Sequence, residues 1–165
     1  MRELSGLVRR AQTDDLEAYN EIVRRLQDMA VMYAYSLLGD FHLAEDVAQE
    51  SFVAAYLDLH KLQAPEAFVN WFRRIVRNRC GRFTRGRRLV LVPLDEARGA
   101  AAGQQGPIEF VEERESAELV REAVEKLPEG ERSVVALYYA GQFTQRRIAA
   151  FLDVPETTVV NRLRS

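Results

Sequence analysis

The chain has 165 residues, 47% apolar and 29% charged, and a formal net charge of -2 at pH 7, which suits a soluble protein of one domain or two small ones. Its single cysteine excludes an intrachain disulfide and fits a reducing, cytoplasmic compartment, and no apolar run approaches the ~20 residues that span a bilayer. With two histidines, one cysteine and no metal-ligand cluster, phosphate loop or nucleophile elbow, the sequence indicates no enzyme, no metal site and no cofactor.

Two helices are predicted in the first sixty residues. Apolar residues recur with a helical period from about residue 15 to residue 38, and Gly39 follows where a left-handed cap is favoured. A second helix is predicted from about residue 41 to residue 59. Its apolar face is formed by Leu43, Val47, Val53 and Tyr56, with Phe52 as a further candidate. This part of the chain is acidic, with eleven acids against five Lys and Arg in residues 1–60.

The third predicted helix carries most of the basic charge. It opens at Pro65, which suits a first helical turn. Residues 71–88 hold eight arginines and no acid, among apolar residues spaced like a buried face. Such a block repels itself, so we expect it to face water or a polyanion. A helix packed on one side and facing nucleic acid on the other satisfies both demands. The alternative is a solvated face that pairs with the acidic helices nearby.

A linker is predicted after the arginine helix. Residues 89–112 are rich in Gly, Ala and acids and show no face to bury. Helical periodicity returns over residues 113–126, and a further helix is predicted over residues 131–140, ended by Gly141. The sequence therefore predicts an all-α protein of two small helical domains, 1–88 and 113–165, joined by a flexible linker. How the two domains pack is left open.

The last twenty-five residues predict a helix-turn-helix. Thr144 can cap a short helix over residues 145–152, residues 153–155 form a tight turn, and a second helix begins near Glu156 or Thr157. In such motifs the second helix enters the major groove of DNA. The alternative is a plain helical hairpin without DNA contact. The candidate DNA-facing positions of the second helix are Thr157, Thr158, Val160, Asn161, Arg162 and Arg164.

Four stretches resemble one family, the bacterial extracytoplasmic-function sigma factors. Residues 43–52 (LAEDVAQESF) are similar to the family's AEDxxQExF stretch, and residues 68–78 (FVNWFRRIVRN) to its FxxWLxRIxRN stretch. Residues 127–138 resemble the opening of the family's second DNA-binding domain, and residues 144–164 resemble its helix-turn-helix. Together they cover nearly the whole chain apart from the linker.

The resemblance implies a promoter-specificity subunit with no catalytic activity, which works with core RNA polymerase on promoter DNA. Domain 1–88 would be sigma region 2 and domain 113–165 sigma region 4, which reads the −35 element. The family commonly has an anti-sigma factor as a further partner, and no membrane insertion is expected. The residues implied for core polymerase binding are Asp46, Gln49, Glu50 and Phe52. Those implied for the −10 element are His60, Lys61, Leu62, Gln63, Trp71, Arg73, Arg74, Arg77 and Asn78.

Four departures from the family pattern qualify this assignment. Arg82 stands where many relatives have Asp, and Asp153 stands where the turn commonly has Gly. Val160 replaces a Lys expected to contact phosphate, so the −35 contact is expected to be weaker or differently specified. Relatives usually continue the recognition helix beyond the position of Ser165, so a truncated C-terminal domain is expected. The alternatives are a stand-alone helix-turn-helix DNA-binding protein and a sigma-like regulator that occupies polymerase.

Overall fold

The fold is helical throughout the part of the chain that the structure describes. The computed structural model describes residues 2–85, 120 and 122–164. None of these residues forms a strand, and none of their helices is long and apolar enough to cross a membrane. The α-helices are α1 (Arg2–Ala11), α2 (Leu16–Leu38), α3 (Phe41–Asp58), α4 (Phe68–Thr84), α5 (Glu129–Val135), α6 (Gln145–Leu152) and α7 (Glu156–Arg164).

Side-chain caps define where the long N-terminal helices begin and end. The Asp15 carboxylate accepts a hydrogen bond from the Ala18 amide at 3.0 Å, and Asp40 caps α3 in the same way. The bond from the Ala18 amide, with help from Arg10, lowers the pKa of Asp15 below its usual value. At the other end of α2, Gly39 adopts the left-handed conformation at φ 73°, as predicted.

The arginine helix α4 buries one narrow face. Phe68, Phe72, Val76 and Cys80 recur every four residues and are at most 1% exposed. Phe72 stacks on Phe52 of α3, with ring centroids 4.4 Å apart. Two short 3₁₀ turns, Leu59–Lys61 and Pro65–Ala67, join α3 to α4. The apolar side of α4 is therefore core, as the alternation of apolar and basic residues predicts.

The C-terminal helices form the predicted helix-turn-helix. The Thr144 hydroxyl caps α6 by accepting from the Arg147 amide, and Asp153 takes the left-handed conformation at φ 56° in the turn. Ahead of this motif, α5 continues into a π-helical turn, Ala136–Ala140. That turn ends in a hydrogen bond from the Gly141 amide to the Ala136 carbonyl.

Both halves of the chain contribute to one apolar core. Tyr33 of α2 meets Phe151 of α6 edge to face, with ring centroids 5.5 Å apart. Buried residues of α5 and α6 join the same cluster as those of α2 and α4. The two domains are therefore packed against each other, a point that the sequence left open.

Some predicted segments differ from the structure or lie outside it. The predicted linker, residues 89–112, lies outside the described residues, as does most of the helix predicted over 113–126. Helix α1 was not predicted, and α5 begins at Glu129 instead of residue 131.

Candidate nucleic-acid and polymerase interfaces

The outer side of α3 carries the first predicted site. Asp46, Gln49 and Glu50 are exposed there. In this structure Phe52 is only 7% exposed and stacks on Phe72, and its contact with a partner stays a prediction. Its tyrosine neighbour in the core, Tyr19, donates a hydrogen bond to the Phe52 carbonyl at 2.6 Å.

A groove that the sequence analysis missed runs between α2 and α3. Its volume is about 840 Å³, and Asp46 and Gln49 line it together with apolar side chains. Val53 and Leu57 are 58% and 66% exposed, although large aliphatic side chains are usually buried. Val53 was predicted to face the core. The exposed apolar residues of the groove are Leu16, Val53, Tyr56 and Leu57.

The segment between α3 and α4 presents polar side chains from an anchored backbone. His60, Lys61 and Gln63 are exposed, whereas Leu62 is 9% exposed and packs into the core. Leu62 therefore anchors the loop in this structure, and its contact with DNA stays a prediction. Gln12, in the turn directly after α1, fixes this backbone, because its amide nitrogen donates to the carbonyls of Leu59 and Leu62 at 3.1 and 2.7 Å.

The polar side of α4 is divided between solvent and neighbouring helices. Arg74 and Asn78 are exposed. Arg79 pairs with Glu50 of α3 at 2.7 Å, which supports the alternative that some of these arginines neutralise acidic helices. Trp71 is half-buried, with its ring centroid 5.8 Å from that of Phe68.

Three polar residues of α4 make contacts with the C-terminal half, although the Arg77 side chain remains 61% exposed. Arg73 donates to the Leu152 carbonyl at the end of α6, and Asn70 donates to the Asp153 carboxylate at 2.9 Å. Arg77 pairs with Glu129 at the start of α5, with a nitrogen–oxygen distance of 3.0 Å. The predicted −10 surface and the helix-turn-helix are thus in direct contact.

Helix α7 exposes half of its predicted DNA-facing positions. Thr157, Asn161 and Arg164 are exposed, and Thr158 and Val160 are half-buried beside the buried Val159. Arg162 lies on the side of α7 that faces α5, where its guanidinium donates to the Gly130 carbonyl at 3.4 Å. That bond directs the half-buried Arg162 toward its own domain in this structure, and its contact with DNA stays a prediction.

Two exposed arginines of α6 were missed by the sequence analysis. Arg146 and Arg147 directly follow the start of the first helix of the motif, and both are exposed. The Arg147 guanidinium lies 5.0 Å from the centre of the Phe143 ring. The available signal was a pair of basic residues in the helix that crosses the DNA backbone in helix-turn-helix proteins.

Comparison with protein families matches both halves of the chain. The family model described as Sigma-70 region 2 matches residues 22–89, and the model described as Sigma-70, region 4 matches residues 117–164. The first match spans α2 to α4, and the second spans the helix-turn-helix.

Similar proteins match the chain nearly end to end. The ECF RNA polymerase sigma-E factor of Salmonella typhimurium LT2 is 31% identical over 168 residues, which cover 95% of this chain and 86% of that protein. The ECF RNA polymerase sigma factor SigW of Bacillus subtilis is 27% identical over 94% of this chain and 88% of its own length. The structure of CnrH in complex with the cytosolic domain of CnrY has a similar fold. Its TM-score is 0.59, with 24% identity over 96% of this chain and 88% of that chain.

Proposed function

Because the chain belongs to the extracytoplasmic-function sigma factors, which bind core RNA polymerase and direct it to promoters, we propose a separate task for each of its exposed surfaces. The observation that carries the proposal is the separation of these surfaces. An acidic and apolar groove lies on α2 and α3, and basic side chains lie on α4, α6 and α7.

The groove on α2 and α3 is the proposed site for core polymerase. Exposed apolar side chains flanked by acids suit a helical partner that inserts apolar residues and carries basic residues at its rim. Asp46, Gln49 and Glu50 supply the polar part of this surface, and Val53 and Leu57 supply the apolar part. Phe52 supports it from behind, because its ring holds α3 against α4.

The loop after α3 and the exposed side of α4 form the proposed −10 site. Taking a base out of the stack costs a few kcal/mol, which stacking and hydrogen bonds in the receiving pocket must return. The exposed His60, Lys61 and Gln63 offer hydrogen-bonding groups on a fixed backbone. The side chains of α4 proposed to hold the melted strand are Trp71, Arg73, Arg74, Arg77 and Asn78.

The helix-turn-helix is the proposed −35 site. Thr157, Thr158, Val160, Asn161 and Arg164 of α7 would face the major groove. Arg146 and Arg147 of α6 would contact phosphates, which adds positive charge that Val160 does not supply.

The proposal includes no catalytic step within this chain, since its tasks are binding and positioning. Its place of work is the cytoplasm, where core polymerase transcribes the chromosome. We assign residues 1–88 to polymerase and the −10 element, 113–165 to the −35 element, and 89–112 to the link between them. An anti-sigma factor is a further proposed partner, and CnrH offers a parallel because its structure was determined in complex with the cytosolic domain of CnrY.

Run-off transcription with core polymerase tests this assignment. Replacing Arg74 and Arg77 together by Ala should abolish promoter opening while polymerase binding is retained. The reason is that these two side chains are proposed to contact promoter DNA and not core polymerase. Arg24→Ala is the matched control, since Arg24 is an exposed arginine of α2 outside the groove. Unchanged transcription by the double variant would refute the role of α4. Tight, specific duplex binding by the chain alone would favour a stand-alone DNA-binding protein.

A further inference from the structure

The loop between α3 and α4, residues 59–64, is held by a side chain that lies far from it in the sequence. Gln12 is 47 and 50 positions away from Leu59 and Leu62, and its amide nitrogen donates to both of their carbonyls, at 3.1 and 2.7 Å. A carbonyl oxygen can only accept a hydrogen bond, so the nitrogen of this amide, and not its oxygen, must face the loop. Both hydrogens of the amide nitrogen are thereby used.

This loop depends on outside support because its own regular structure is short. It begins with a single 3₁₀ turn, Leu59–Lys61, and such turns have poorer hydrogen-bond geometry than an α-helix. The side chains of Leu59 and Leu62 are 2% and 9% exposed, so they fix two points of the loop in the core. The Leu62 amide donates to the Leu59 carbonyl at 3.2 Å. One nitrogen of Gln12, bonded to both carbonyls, then fixes the separation of these two points.

The turn that follows α1 holds Gln12 itself in place. The Gln12 backbone amide donates to the carbonyl of Val8 at 2.9 Å, and Val8 is fully buried. Asp14 takes the left-handed conformation at φ 63°, and the Asp15 amide returns to the Arg10 carbonyl at 3.2 Å. A support that is itself packed and hydrogen-bonded preserves the geometry of the groups that it supports.

A second link from α1 to this region is weaker. The Arg9 guanidinium pairs with the carboxylate of Glu66, in the 3₁₀ turn just before α4. These side chains are 63% and 62% exposed, so solvent screens the pair and it contributes little. The bonds from Gln12 are part-buried and have no such exposure. Gln12 is therefore the main support of the loop.

We propose that Gln12 is a positioning residue that sets which base the loop accepts, without contacting the DNA itself. This inference rests on the proposed function, in which a base taken out of the stack is read by hydrogen bonds to its edge. His60 and Lys61 lie between the two supported carbonyls, and Gln63 directly follows the second. Hydrogen bonds weaken steeply when their distance or angle departs from the ideal. Loss of the Gln12 bonds would change the backbone geometry from which these three side chains reach the base.

Two substitutions of Gln12 remove the donor and keep the size of the side chain. Gln12→Met has a similar length and no donor, and Gln12→Glu places oxygens where the donor nitrogen faces two carbonyls. Thr13→Ala is the matched control. Thr13 is an exposed residue of the same turn, and its hydroxyl donates to the Arg10 carbonyl instead of to the loop.

Amide hydrogen exchange in the free, full-length chain measures the support directly. One hydrogen bond corresponds to a factor of about 2 to 10 in an opening equilibrium, so loss of both should speed exchange of the Leu62 amide by about fivefold or more. Both Gln12 variants should show this change, and Thr13→Ala should exchange at the native rate. Unchanged exchange in the two Gln12 variants would show that these bonds do not hold the loop, which overturns the proposal.

Base preference is measured on the complex of the chain with core polymerase. The probe is a pool of fork-junction DNAs whose single-stranded −10 segment carries all four bases at every position, and the bound fraction is sequenced. The position read by the loop is the one whose preference is lost in His60→Ala or Gln63→Ala. At that position the Gln12 variants should weaken the preference by about threefold or more, with the other −10 positions and polymerase binding unchanged.

The pattern across positions separates positioning from a general loss of stability. A destabilised chain binds less DNA at all positions alike, so a uniform loss in the Gln12 variants, or a native pattern, would overturn the proposal. A native complex without any base preference, or one whose preference neither His60→Ala nor Gln63→Ala alters, would instead refute the proposed function of the loop, and the inference with it.

Discussion

At the scale of single residues, the preferences of residue types predicted backbone conformations well, but they predicted less well which side chains face the core. The left-handed turn at Asp153 and the cap at Thr144 follow from the preferences of those residue types, and both are present. The errors concern which side chains face outward. Phe52 and Val53 are adjacent and therefore about 100° apart around α3, so only one of them can face the core. The sequence offers both as apolar, and only packing against Phe72 selects Phe52.

The left-handed turn gives a prediction for Asp153. Asp153→Gly should be more stable than Asp153→Ala, because Gly adopts a positive φ without strain. Asp153→Ala should be less stable by about 1 kcal/mol, since Ala is strained there. Urea unfolding of the two variants measures the difference. Both variants remove the carboxylate that Asn70 donates to, so loss of that bond cancels in the comparison. Equal stabilities would show that the positive φ carries no cost.

Substitutions at Phe52 and at Gln49 should have different effects, the first on the stability of the fold and the second on binding to core polymerase. Phe52→Ala should destabilise the fold by about 3–5 kcal/mol, because it removes a ring from the core. Gln49→Ala should leave stability within about 0.5 kcal/mol and weaken binding to core polymerase, because Gln49 is exposed in the groove. Chemical unfolding and a polymerase pull-down make the two measurements. A Gln49→Ala chain that binds polymerase normally would move the site away from this groove.

At the scale of helices, periodicity predicted the existence of the long elements and missed a short one. Helices α2, α3 and α4 have apolar repeats, and α2 and α3 also have side-chain N-caps, so all three were found within a few residues. Helix α1 has ten residues and includes Gly6, which weakens the local signal. Its apolar spacing at Leu4, Leu7, Val8 and Ala11 was nevertheless a usable indication. Short helices depend on tertiary packing, which a local pattern does not reveal.

The cap of α2 gives a prediction about pH. The pKa of Asp15 is lowered in the folded chain, chiefly by the Ala18 amide and then by Arg10. Its ionised form therefore adds stability above the unfolded pKa, near 3.8, and this stability is lost as the pH falls through the folded value. Asp15→Asn keeps a cap without the charge. Unfolding curves should show the native chain more stable than Asp15→Asn at pH 7, with the difference vanishing toward pH 2. A difference that does not depend on pH would contradict the assignment.

At the scale of the whole molecule, the sequence showed two domains and could not show their contact. The Ser36 and Ser133 hydroxyl oxygens are 3.0 Å apart, but the two residues are 97 positions apart in the chain, and neither carries a charge or a motif that marks it as part of an interface. The arginine block presented a related problem. Its positive charge indicated nucleic acid, whereas in this structure Arg73, Arg77 and Arg79 bind protein groups. Charge alone does not distinguish a phosphate from a carboxylate or a carbonyl.

The shared core predicts coupled unfolding of the two halves. Arg132→Ala should leave the Ser36 carbonyl without its guanidinium partner, at a cost of about 1–3 kcal/mol. We expect the native chain to unfold in one transition and this variant to unfold its C-terminal half first. Calorimetry of the full chain would resolve the two steps. Arg146→Ala, which removes an exposed arginine of α6, should leave the single transition in place.

The bonds from Gln12 to the carbonyls of Leu59 and Leu62 have a consequence for how promoter preference evolves. The side chains that would meet a flipped base belong to the loop after α3. The residue that supports their backbone, Gln12, belongs to the turn after α1, a segment that holds none of the proposed DNA contacts. During evolution, substitutions in the first dozen residues could therefore change which base the loop accepts, while His60, Lys61 and Gln63 stay unchanged. Two such proteins with identical loops could then regulate different sets of genes.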